Sequence, residues 1–149
     1  SEPTNIKIAS IQAVKTYITQ CPESLPILCE LGLFDILNEL YERNQFIIQK
    51  EIIILLAAAV QTEGSCELIL SNCSFINQII SIANSENEET TESIVNILYT
   101  LVQFQQEMRI TEIQEELQQH QDVMEKLLSS SSSDIFEKAE QLYELVFPT

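Results

Sequence analysis

A chain of 149 residues with 45% hydrophobic content is long and apolar enough to bury a core without disulfides or a structural metal, which excludes wholesale disorder. Seven Lys plus Arg stand against 23 Asp plus Glu, a formal charge of -16 that argues against direct binding to nucleic acid or anionic membrane. Two Gly and four Pro are too few for a turn-rich all-β fold or a glycine-lined phosphate cradle.

In chain order, residues 5–20 read as a first helix. Pro22 then opens a short helix ending at Glu30, because proline is tolerated in a first turn. Gly32 turns the chain. Leu33, Phe34, Leu37 and Leu40 follow at 3-and-4 spacing, so a medium helix over 33–41 turns one stripe to a core. Glu42-Arg43-Asn44 is a polar connection of ordinary length. The helix over 46–62 is apolar nearly all round and must be covered on several sides. A short helix over 65–70, a medium one over 75–83, the connection Asn84-Ser85-Glu86-Asn87 and a long helix over 89–104 repeat that order.

Beyond residue 104 two readings stand. In one, the pattern continues irregularly, with Ser129-Ser130-Ser131-Ser132-Ser133 as a flexible loop or phosphorylation segment before a last helix. In the other, residues 92–128 form one long helix of a coiled coil or bundle. Phe104, Met108, Ile110, Ile113, Leu117, Met124 and Leu127 would be its apolar side, and Gln114, Gln118 and Gln121 its solvent face.

Sliding the chain against itself by 42 residues brings apolar positions into coincidence. Leu33, Phe34, Leu37 and Leu40 fall on Phe75, Ile76, Ile79 and Ile82; Ile52, Ile53, Leu55 and Leu56 fall on Ile94, Val95, Ile97 and Leu98. Backwards, Ile53, Leu55, Leu56 and Val60 land on Ile11, Ala13, Val14 and Ile18. With a two-residue insertion, Val95, Leu98, Leu101 and Val102 meet Ala139, Leu142, Leu145 and Val146. Three helices repeating at this period resemble the armadillo repeat, with the related HEAT repeat close behind. The signature glycine is present as Gly32, while Ser74 stands in its place one unit later. The resemblance implies an all-α, right-handed α-solenoid of about three and a half armadillo-like three-helix repeats in a single domain. It would comprise a lone third helix at 5–20 and units at 22–63, 64–106 and 107–149. A start at Ser1 without methionine fits a processed or excised piece of a longer protein.

Chemistry is sparse. His120 could pair with Asp122 or Glu116 as a general base, but no nucleophile motif surrounds it, so it reads as a surface or turn histidine. Glu115-Glu116 and Glu88-Glu89 lack the alternating oxygen ligands and turn glycine of a hard-cation loop. Cys21, Cys29, Cys66 and Cys73 match no zinc or redox spacing and read as small buried thiols. Asn72-Cys73-Ser74 matches the glycosylation pattern by coincidence, since no secretory signal opens the chain, and the longest apolar run is too short to span a bilayer. The expectation is a cytoplasmic or nuclear protein without enzymatic activity, cofactor or metal. The seven bases are scattered, and acids concentrate late: residues 1–83 hold 9 acids and 4 bases, residues 84–149 hold 14 and 3. A cationic partner would be drawn to the second half, although solubility alone also explains the charge.

Armadillo arrays receive extended or helical peptides along the concave face of their third helices. In the importin-alpha branch that face carries repeating Trp and Asn. Here the tryptophan places hold Gln12, Ile54, Asn96 and Glu140, and the asparagine places hold Thr16, Ala58, Thr100 and Glu144, so a nuclear-import receptor of that type is not implied. The face instead grades from apolar to acidic. The resemblance thus implies a non-enzymatic protein–protein interaction module, with Ile54 and Ala58 anchoring a partner and Glu140 and Glu144 meeting its Lys or Arg. The alternative is a structural or oligomerising segment of a larger cytoskeletal or signalling scaffold. In that case solenoid ends self-associate, and Val14 and Ile18 face a second copy.

Overall fold

The structure is a computed structural model that describes residues 2–43, 45–83 and 87–148. The described residues form ten α-helices, one 3-10 turn and no strand. In order these are α1 (Glu2–Gln20), the turn Pro22–Ser24, α2 (Leu25–Glu30), α3 (Leu33–Arg43), α4 (Phe46–Ala59) and α5 (Ser65–Asn72). They are followed by α6 (Ile76–Ser81), α7 (Glu88–Glu107), α8 (Glu112–Gln119), α9 (Gln121–Leu127) and α10 (Ser133–Val146). After α1, two shorter helices and a longer one recur three times. The longer members are α4, α7 and α10, of 14, 20 and 14 residues. The chain divides into two compact units, Ser1–Phe75 and Ile76–Thr149.

In the first unit α1 and α3 both pack against α4, and α2 packs beside α5. This accounts for the all-round apolar sequence of α4, whose Ile48, Ile52, Ile53, Leu55 and Leu56 are buried together with Ile18 of α1. α4 stops at Ala59 rather than Thr62. The Thr62 hydroxyl donates to the Ala59 carbonyl at 2.9 Å, and Gly64, at φ 77°, turns the chain into α5. Gly32 adopts φ 96° at the corner where sequence placed a turn.

The corresponding corner after α5 has no glycine and is held differently. Asn38 Nδ2 donates to the Asn72 carbonyl at 2.8 Å, and Asn38 Oδ1 accepts from the Ser74 N–H at 3.0 Å. Next to it the Tyr41 and Phe75 rings stack, with centroids 4.2 Å apart. Ile18, expected to face a second copy, is instead fully buried within this unit, and Val14 is half-buried. The apolar residues that α1 exposes include Ile6, Ala9, Ala13 and Tyr17. The four cysteines form no disulfide among the described residues and are half-buried rather than core residues.

In the second unit α7 lies along α10, while α8 touches both and α9 touches α8 and α10. Asn87 caps α7, its Oδ1 accepting from the Thr90 N–H and hydroxyl at 2.9 and 3.0 Å. Of the other expected connection residues, Glu42 and Arg43 belong to the last turn of α3, and Asn44 and Asn84 to Glu86 lie outside the described residues. One continuous helix over 92–128 does not form. α7 ends at Glu107, Arg109 takes a left-handed φ of 61°, and a second break falls at His120 (φ -110°, ψ 41°).

Buried Gln105 stabilises the first of these breaks. Its carbonyl accepts from the Ile110 N–H at 2.7 Å, and its Oε1 accepts from the Ile113 N–H at 3.0 Å, closing the start of α8. Gln114 and Gln118, expected on a solvent face, reach across to the end of α10 and donate to the Val146 carbonyl at 3.3 and 2.8 Å. Gln106 donates to the Leu145 carbonyl at 3.0 Å. The serine run works as a helix cap: Ser132 Oγ accepts from the Ile135 N–H at 3.4 Å, and Ser130 Oγ accepts from the Ser132 N–H at 3.2 Å.

Candidate functional site

The eight positions expected to line a groove occupy four helices, two per unit, each pair one turn apart on its helix. In the first unit, Gln12 and Thr16 of α1 are exposed, while Ile54 and Ala58 of α4 are half-buried. In the second, Asn96 and Thr100 of α7 are half-buried, and Glu140 and Glu144 of α10 are exposed. α1 packs on α4 and α7 on α10, so the helices that carry the positions are neighbours within each unit.

Thr16 and Thr100 stand two periods apart and make the same bond. Each hydroxyl donates to the carbonyl four residues back, Gln12 at 3.0 Å and Asn96 at 2.9 Å. Their oxygens are therefore left to accept, beside the Gln12 and Asn96 side-chain amides. At the acidic end, the Lys138 ammonium lies 4.8 Å from the centroid of the Tyr99 ring, an attraction to the ring face that ties α10 to α7. Gln103 Nε2 donates to the Tyr99 hydroxyl at 3.0 Å.

Ala58 opens onto a cleft of about 390 Å³ that Thr19, Pro22, Gln61, Thr62 and Glu63 also line. Of these only Ala58 was expected at a site. Thr19 and Gln61 are 42 residues apart, so the repeat register already pairs them at the ends of two third helices. A second cleft, of about 330 Å³, is lined by Lys7, Ile36, Glu39, Leu40 and Arg43, and in it Arg43 and Glu39 form an exposed ion pair at 3.0 Å.

His120 sits at the α8–α9 corner, with Nε2 at 3.5 Å from Glu116 Oε1 and both side chains about one-third exposed. Among the described residues no group of His, Cys, Asp and Glu is arranged to hold a metal ion. None of the described helices is long and apolar enough to cross a membrane. The strongly shifted titratable groups, Cys73 and Tyr41, are not among these eight positions. Burial pushes the Cys73 thiol up to about 12, against a smaller opposing hydrogen bond from the Phe75 backbone. Burial, and then the charge of Cys73, raise Tyr41 to about 12. No protein-family model, curated protein or solved structure matches the chain.

Proposed function

We propose that the chain is a non-enzymatic protein-interaction module of the armadillo-like class, working in the cytoplasm or nucleus. On this reading the successive third helices present a concave solenoid face to an extended or helical partner segment. Ile54 and Ala58 take apolar side chains, Asn96 and Thr100 bond the partner backbone, and Glu140 and Glu144 receive Lys or Arg. The observation that carries the reading is the threefold recurrence of two shorter helices and a longer one, with α1 packed on α4 and α7 on α10. A stack of such units leaves one side of every third helix uncovered by its neighbours.

The test is capture from cell extract with two baits, the intact chain and a Glu140→Lys/Glu144→Lys double variant. A protein held by the first and lost by the second supports the groove. A protein held equally by both removes the acidic end from the site. Capture of nothing favours the second reading, an oligomerising segment of a larger scaffold. The observation behind that alternative is the set of exposed apolar residues in the first unit, with Ile6 64% and Leu31 75% exposed.

A further inference from the structure

Ser129 to Ser133 join α9 to α10, and the structure separates five serines that look alike in sequence. Ser129 donates its hydroxyl to the Glu125 carbonyl at 3.4 Å. Ser130 and Ser132 are half-buried, and each hydroxyl accepts a backbone N–H, from Ser132 and from Ile135. Ser133 already belongs to α10. Ser131 differs from all four. It is exposed, it lies outside every helix, and among the described residues its hydroxyl has no hydrogen-bond partner.

A protein kinase moves the γ-phosphoryl group of ATP to a hydroxyl on a locally extended segment, and charges a few residues away select the substrate. One class of serine kinase reads a carboxylate three residues beyond the acceptor through a basic subsite. Of all the serines and threonines in the chain, only Ser85 and Ser131 have a carboxylate at that spacing, Glu88 and Asp134. Ser85 lies outside the described residues. Asp134 is exposed in the first turn of α10. That turn opens at small cost, because helix ends fray and the Ser132 cap bond, at 3.4 Å, is longer than a strong N–H···O bond. Lys126 stands three residues before Ser129, the spacing a base-directed kinase reads, but the Ser129 hydroxyl is already bonded. The surrounding charge favours the acid-directed class as well. Residues 84–149, with 14 acids against 3 bases, attract an enzyme whose substrate groove is cationic and repel one whose groove is acidic.

We propose that Ser131 is a phosphate-acceptor site for an acid-directed serine kinase, with Asp134 as the carboxylate that the enzyme reads. The Ser131 oxygen bonds the γ-phosphorus of ATP as the bond from that phosphorus to the β–γ bridging oxygen breaks. ADP leaves, and the hydroxyl proton passes to the kinase's catalytic aspartate and on to solvent. The product adds about 1.5 to 2 negative charges, taking residues 84–149 from a balance of -11 to about -13. The phosphate stands just ahead of α10, whose amino end carries partial positive charge, so α10 keeps its fold when modified. The inference goes beyond the groove reading and does not rest on it.

The experiment incubates the full chain with magnesium ATP and either of two purified kinases. One reads a carboxylate three residues after its acceptor, the other a Lys or Arg three residues before it. Intact mass counts the phosphoryl groups, and fragment spectra place them. The first enzyme should modify Ser131 and the second should leave the serine run bare. Ser131→Ala, which removes no hydrogen bond, should end uptake in the run. Asp134→Asn should lower kcat/KM at Ser131 by about tenfold, as for the loss of one charge-assisted contact, and Asp134→Glu should restore it. Circular dichroism checks that each variant stays helical; if Asp134→Asn does not, the contrast between the two kinases on the parent chain decides. Phosphate on Ser129 from the base-directed enzyme, with Ser131 bare under both, would overturn the proposal. So would uptake confined to Ser85, or an Asp134→Asn chain modified at Ser131 as fast as the parent.

Discussion

Cys73 lies at the corner after α5, between the two residues that Asn38 holds. Its thiol is raised from an ordinary 9.0 to about 12, chiefly by burial, and Tyr41 from 10.0 to about 12. Both groups are neutral when protonated, and both keep their proton more tightly in the folded chain than in the unfolded one. Their contribution to stability is therefore complete below about pH 9. It is lost as pH rises through the folded values near 12, because the unfolded chain ionises first. Stability to urea should fall between pH 9 and 12, and Cys73→Ala should make that fall shallower by a few kcal/mol, up to about 4 for three pH units. A fall of unchanged size in the variant would show that Cys73 titrates freely.

At the scale of elements, the corners divide into those made by backbone and those made by side chains. Arg109 holds φ 61° between α7 and α8, a conformation unfavourable for any residue with a Cβ. Arg109→Gly should raise thermal stability by up to about 1 kcal/mol, and the β-branched Arg109→Val should lower it by about 1–2 kcal/mol. Equal melting temperatures for all three would contradict a strained corner. Sequence revealed the corner at Gly32, since glycine announces itself there, and the cores of α3, α4 and α7, since apolar spacing does. It left the break at 109 open between a long helix ending at 104 and one running on to 128, and it did not place the break at 120, because no glycine or proline marks either. The first is specified by Gln105, a polar residue inside an otherwise apolar helix face, whose amide bonds only after α8 has folded back. Asn38 is hidden for the same reason, its partners being 34 and 36 residues away.

For the whole molecule, the -16 charge is unevenly borne, with 14 acids against 3 bases in residues 84–149. Like charges at that density repel within a compact unit, and added salt screens them over about 10 Å at 0.1 M. Melting temperature should therefore rise by about 2–5 °C from low to physiological sodium chloride. A flat or falling response would mean that attractive pairs outweigh the repulsion. A fixed period names equivalent places on successive helices, and the eight positions it names fall in pairs on α1, α4, α7 and α10. The cleft beside Ala58 was only half readable. Register pairs Thr19 with Gln61, but the opening depends on α4 ending at Ala59, three residues before the apolar pattern suggests.

The amides that close α10 also restrict which replacements this acidic segment tolerates. Glutamine and glutamate have nearly the same shape, and residues 84–149 accept glutamate at many helix positions. At Gln106, Gln114 and Gln118 the NH2 group is the part that touches the carbonyls of Leu145 and Val146. A carboxylate there would offer no hydrogen and would set a negative charge against the negative end of a helix. The mildest substitution in size is thus among the harshest in charge, and the chain's own acidity has a boundary at these three side chains.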